Sequence, residues 1–330
     1  MIKICLDIEG SDLGNKELCQ GCLDYLKYNK DVCLVLVGKT AEYENLFADY
    51  KDRVEFVTAE DVVPMEVSPL ALLRMQKSSM VMGLKRANQD DCDAFVTCGS
   101  SGGFITGAQL IIKKIPHVCR AAFTSPFVTK IKDKQTVILD IGASNENTVE
   151  EMACFARLGR NYCRCVLGIE NPSVYLLSNG AEEGKGSKIV VDTYKYLKET
   201  NFPNFCGNVE ARDALDGTHD VIVCQGFDGN ILLKSSEGVA SMMNDMIKKA
   251  FKKNLFTKIG YLLAKKGFDE MKASMDYKKI GGAILLGVNK VCVKSHGNSN
   301  AYAFYHAIDL AYRMAKNHVV EDIKKEFENN

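Results

Sequence analysis

Residues 221–234 read VIVCQGFDGNILLK: an apolar run, a glycine-flanked polar pentad at Gly226–Asn230, and a second apolar run. A short run without polar alternation suits a strand buried on both faces, as in a parallel sheet. The pattern recurs in KICLDI (3–8), VCLVLVG (32–38), RVEFVTA (53–59), AFVTCG (94–99), TVILDIG (136–142), CVLGI (165–169) and VYLLSNG (174–180). Amphipathic stretches separate the runs, among them 68–89 and 148–163, and strand–helix–strand alternation predicts an α/β fold. GGAILLGVN (281–289) and KVCVKSHG (290–297) read as a closing hairpin, followed by a helix from about Asn300. Nothing resembles a linker or repeat, so residues 1–330 are expected to form a single domain. A helical excursion is expected at about 235–275.

Composition narrows the function. Forty-two basic residues balance 42 acidic ones among 330, which excludes a general nucleic-acid coat. No basic and apolar leader precedes the first strand, and no run approaches the ~18 apolar residues of a spanning helix. A cytoplasmic location, at most peripheral to the inner face of a membrane, is the expectation. Thirteen cysteines lie scattered, several inside apolar runs, and read as buried thiols in a reducing compartment. CQGC at 19–22 lacks the second pair or histidine of a zinc site.

The predicted strand ends carry seven loops rich in Gly, Asn and Ser: DIEGSD (7–12), CGSSGG (98–103), DIGASNEN (140–147), SNGAEEGKG (178–186), GNVEARD (207–213), GFDGN (226–230) and SHGNSN (295–300). Ligands of open α/β sheets bind beyond the carboxyl ends of strands. Backbone N–H groups exposed by glycine can cradle a compact anion such as phosphate. One shared crevice is therefore expected, with GFDGN a turn that presents Asn230. Gly180–Gly186 imitates a P-loop, but no Ser or Thr follows Lys185; no dinucleotide fingerprint, G-x-S-x-G or metal-spaced histidine occurs.

Five long segments, at 138–147, 171–186, 205–213, 220–238 and 281–301, together resemble the phosphate acyltransferase (PlsX) family in order and spacing. The resemblance runs nearly end to end. It implies a three-layer α/β/α sandwich similar to isocitrate/isopropylmalate dehydrogenases, with a mostly parallel sheet. It also implies a homodimer that moves a long-chain acyl group from an acyl-carrier-protein thioester to inorganic phosphate. A membrane glycerol-phosphate acyltransferase would use the acyl phosphate for phospholipid synthesis. The chain departs from the family pattern at Ile8, Glu9 and Ser11 in the first loop, at Ser100 and Ser101, and at Gln225 and Asp228.

Phosphate is itself the nucleophile in that reaction, and a thiol of pKa about 8.5 leaves readily. The protein must position phosphate and stabilise an oxyanion, with no metal or cofactor implied. Lys185, His296 and Asn230 are the expected catalytic groups. Lys185 offers charge, His296 a donor or proton carrier, and Asn230 an amide. Asp7, Ser100, Ser101, Gly102, Asn145, Asn208 and Gly229 are expected around the phosphate, with Asp7 and Asn145 orienting or capping rather than reacting. Residues 248–266 hold seven lysines and no acidic residue on an amphipathic stretch. Lys248, Lys249, Lys252 and Lys253 are expected to meet an anionic membrane or the carrier protein. Two alternatives stand beside this reading: a phosphotransacylase acting on short acyl-CoA, and a non-catalytic carrier-protein scaffold.

Overall fold

The computed structural model describes residues 1–274 and 277–328. Eleven strands form one sheet. In chain order they are β1 (Ile2–Asp7), β2 (Val32–Gly38), β3 (Val54–Thr58), β4 (Ala94–Thr97), β5 (Ala122–Val128), β6 (Gln135–Leu139), β7 (Val174–Ser178), β8 (Phe205–Glu210), β9 (Val221–Val223), β10 (Ala283–Leu286) and β11 (Val291–Lys294). Their order across the sheet is β3-β2-β1-β4-β11-β10-β5-β6-β9-β7-β8. The two outer blocks, β3-β2-β1-β4-β11 and β6-β9-β7-β8, are parallel within themselves. Three antiparallel pairings in the middle, β11–β10, β10–β5 and β5–β6, reverse the direction between them. The outer blocks therefore run oppositely, and their carboxyl ends lie at opposite ends of the sheet.

Helices cover both faces. One face packs against α1 (Asn15–Tyr28), α5 (Val149–Leu167), α6 (Lys188–Glu199), α9 (Ala301–Lys316) and α10 (Val319–Glu328) around Tyr25, Phe155, Tyr162 and Phe304. The other packs against α2 (Pro69–Arg74), α3 (Ser79–Ala87) and α4 (Ser101–Gly107) around Phe95, Phe104 and Met80. Strand side chains on both faces are buried, as the unbroken apolar runs required.

Several local expectations change. CVLGI is not a strand. A capping box of Thr148 and Glu151 starts α5, which carries Cys165–Leu167 as its last turn and stops at left-handed Gly168. The stretch 68–89 breaks at Met75–Ser78 into α2 and α3. GNVEARD is only partly a loop, because its residues from Gly207 to Glu210 belong to β8. Strand β5, AFTSPFV, contains Pro126, yet β10 pairs only with Ala122–Thr124, so Pro126 faces no strand on that side.

GFDGN is no turn either: it is the first turn of α7 (Gly226–Lys252). Both glycines are set by packing. A Cβ on Gly226 would lie 2.1 Å from the Ser144 carbonyl oxygen, and one on Gly229 1.9 Å from that of Asp140. Only glycine lets the helix start press onto the loop after β6. Helix α7 and α8 (Leu255–Ser274) form the expected excursion, which the sequence extended to about 275, one residue outside the described set. Phe251, Tyr261 and Phe268 hold the two helices together. Leu255 and Phe256 stand exposed where they meet. Among the described residues no helix is long and apolar enough to cross a membrane.

Candidate active site

The opposed strand directions divide the seven loops between the two ends of the sheet. DIEGSD, CGSSGG and SHGNSN follow β1, β4 and β11 at one end of the sheet. DIGASNEN, SNGAEEGKG and GFDGN follow β6, β7 and β9 at the other, where β8 also ends. His296, Asp7, Ser100, Ser101 and Gly102 thus belong to the first end, and Lys185, Asn145, Asn208, Gly229 and Asn230 to the second. Helix α7 starts at the second end. Its Lys234 and Glu237 come within electrostatic reach of His296.

The His296 end gathers buried ionisable groups. Asp7, at the tip of β1, is 2 % exposed. Its carboxylate accepts the Thr97 hydroxyl at 2.8 Å and the Glu9 backbone N–H at 3.1 Å. Burial outweighs those bonds and pushes its pKa up to about 6. Lys294, at the tip of β11, stands in register with Thr97, which in turn pairs with Asp7. The Lys294 ammonium is buried and donates to the carbonyl oxygens of Cys98, at 3.1 Å, and Ser295. Burial draws its pKa down. His296 is exposed, but desolvation still holds its pKa below the ordinary imidazole value, so it is neutral at pH 7. Ser295 and Ser299 share a hydroxyl hydrogen bond at 2.8 Å beneath it.

Ser100 caps α4. Its buried hydroxyl accepts the Gly103 N–H at 3.2 Å and donates to the Met65 carbonyl at 2.7 Å. Ser101 and Gly102, on the first turn, are exposed. The loops interlock: Asp12 N–H donates to the Gly297 carbonyl at 2.8 Å, and left-handed Gly10 packs on Gly99. Glu9, one of the departures from the family pattern, is buried and accepts the Lys39 N–H at 2.7 Å.

The Lys185 end is organised around Asp140. Its carboxylate accepts the N–H groups of Phe123, Gly142 and Ala143 at 3.1, 3.0 and 2.8 Å and the Ser144 hydroxyl at 2.6 Å. Asn147 accepts the Gly226 N–H, which ties the loop to α7. Asn145 and Asn230 are exposed; Asn230 borders Gly142. Asn208 is buried, and its amide donates to the carbonyls of Glu182, at 2.9 Å, and Lys185, at 3.4 Å. It staples the Lys185 loop, while the Lys185 side chain is exposed. Lys248, Lys249, Lys252 and Lys253 are exposed near the far tip of α7.

Lys294 escaped the sequence reading because lysine is among the residues least expected inside. The signal was its place: a charged residue that closes an apolar strand directly before Ser295 and His296.

Known proteins match this chain over nearly its whole length. The model of a family described as fatty acid synthesis protein matches residues 2–322. A phosphate acyltransferase of Helicobacter hepaticus is 40 % identical over 332 residues, covering 100 % of this chain and 98 % of its own. One from Thermoanaerobacter pseudethanolicus is 37 % identical over 328 residues, covering 99 % and 98 %. The chain belongs to the phosphate acyltransferase family. It is accordingly an acyltransferase.

Two solved structures share the fold of this phosphate acyltransferase family member. A phosphotransacetylase from Streptococcus pyogenes superposes with a TM-score of 0.62 at 17 % identity, covering 97 % of this chain and 94 % of its own. A branched-chain phosphotransacylase from Enterococcus faecalis gives 0.58 at 10 %, covering 96 % and 99 %. At such identities the likeness speaks for the sandwich and its central sheet alone.

Proposed function

We propose that the whole chain acts as one catalytic unit that transfers a long-chain acyl group from an acyl-carrier-protein thioester to inorganic phosphate, and that the transfer takes place at the His296 end. Phosphate attacks the thioester carbonyl, a tetrahedral oxyanion forms, and the carrier thiolate leaves with its electron pair. The acyl phosphate then serves phospholipid synthesis. The observation that carries this placement is the convergence of Asp7, Lys294 and His296 at one end of the sheet. Burial moves the proton affinity of each, as it does that of Asp140 at the other end, but among the described residues only here do a carboxyl, a buried ammonium and an imidazole come to one end of the sheet.

Neutral His296 is suited to donate a hydrogen bond to the oxyanion or to pass a proton to the departing thiolate. The backbone at Ser101 and Gly102 offers further donors at the same end of the sheet. Lys185 and Asn230 lie at the other end, outside the proposed reaction centre. The α7–α8 excursion, with four lysines and exposed Leu255 and Phe256 near its tip, suits a contact with anionic lipid or the acidic carrier protein. Its long apolar faces suit a homodimer. His296→Ala and Lys185→Ala test the placement by phosphate-dependent thiol release. The histidine variant should lose most activity and the lysine variant keep most of it. The reverse order would move the reaction to the Lys185 end.

A further inference from the structure

Lys294 is 7 % exposed, and such burial of an ammonium is costly unless the charge is matched. An ammonium has three N–H donors. Two go to the carbonyls of Cys98 and Ser295. Among the described residues no carboxylate lies within ion-pair distance of it and no third acceptor is present. Asp7 and Asp12 act on it only through space, as does Lys234. The Asp7 carboxylate is turned to Thr97 and to the Glu9 N–H instead. Carbonyl dipoles hold the ammonium in place without neutralising it. Its two carbonyl partners belong to the loops after β4 and β11, so the charge is fixed between the segment that carries Ser100–Gly102 and the segment that carries His296.

We infer that Lys294 is a substrate-positioning residue that supplies the positive charge for the phosphate nucleophile, with its remaining N–H aimed at a phosphate oxygen. The inference rests on the phosphate-transfer reading above. It gives the anion a rigid partner, because the carbonyl bonds set the ammonium before phosphate arrives. An exposed lysine would first have to give up its rotamer freedom. A phosphoryl group could also reach this point on the pantetheine arm of the acyl donor, and the test separates the two sources.

Lys294→Met and Lys294→Arg are compared with the full-length wild type. The Met variant removes a buried charge and leaves an apolar chain of similar length, which proteins often accept. Thermal unfolding with inorganic phosphate, against chloride at equal ionic strength, reads binding without turnover. Phosphate should raise the wild-type midpoint, leave Lys294→Met unmoved and raise Lys294→Arg in part. In steady state, Lys294→Met should raise KM for phosphate by roughly tenfold or more, with KM for the acyl donor within about twofold. In the wild type alone, phosphate should raise the titration midpoint of the Lys294 ε-carbon resonance, identified by its loss in Lys294→Arg. That measurement decides the matter should the Met variant fail to fold. An unchanged phosphate KM and midpoint shift in Lys294→Met, or a rise confined to the donor KM, would overturn the inference. Phosphate binding that depends on Lys294 without thioester turnover would uphold it and refute the functional reading instead.

Discussion

Asp7→Asn should change how stability depends on pH. Native Asp7 keeps its proton to about pH 6, whereas its ordinary value is 3.8. Between those values the folded state binds more protons than the unfolded chain, so this group's contribution is complete at low pH and is lost as pH rises through 6. A displacement from 3.8 to about 6 is roughly two pKa units, or about 3 kcal/mol. Asparagine cannot ionise. It forfeits one of the two bonds that Asp7 accepts from Thr97 and the Glu9 N–H, which costs about 1 kcal/mol at every pH and leaves the slope untouched. Urea unfolding of both proteins from pH 4 to pH 8 gives the difference directly. The stability of the wild type relative to the variant should fall by about 2.5 kcal/mol across that range, most steeply between pH 4 and 6.5. Curves that stay parallel would mean that Asp7 is ionised in the folded protein with ordinary affinity, and the account of the His296 end would lose one of its three groups.

Gly229→Ala should destabilise the protein by about 3 kcal/mol, since a Cβ 1.9 Å from the Asp140 carbonyl oxygen forces α7 off the β6 loop. Gly238→Ala, on the same helix with nothing within 4 Å, should instead stabilise by about 0.5–1 kcal/mol. Equal effects in urea unfolding would contradict the packing explanation of GFDGN. Replacing Lys248, Lys249, Lys252 and Lys253 by Glu should abolish sedimentation with anionic liposomes, at about 1 kcal/mol per lysine, and raised salt should weaken wild-type binding. Binding by the variant equal to wild type would remove the lipid role of the excursion.

The sequence made the α/β class legible because strands buried on both faces are unbroken apolar runs, and these mark most of the sheet. It failed where one residue type serves two structures. Cys165–Leu167 is as apolar as a strand, but the helix begun at Thr148 continues through it. Gly226 and Gly229 signal close approach equally well in a turn and in a helix that touches a carbonyl. Strand direction was not legible at all. Seven similar loops suggested one crevice, yet direction in a sheet depends on pairing between distant strands, and the reversal at β10, β5 and β6 leaves no local trace. The same long-range pairing brings Lys294, Thr97 and Asp7 into register. His296, Asp7 and Ser100–Gly102 could be named one loop at a time; their separation from Lys185 and Asn230 could not.

The most direct test incubates the purified protein with palmitoyl-carrier protein, palmitoyl-CoA and acetyl-CoA in parallel, with and without phosphate, and follows the free thiol. Release from palmitoyl-carrier protein should require phosphate and be accompanied by palmitoyl phosphate. Turnover of acetyl-CoA alone would make the protein a short-chain phosphotransacylase. Absence of release from every donor by the folded protein would contradict the catalytic reading and leave the carrier-protein scaffold.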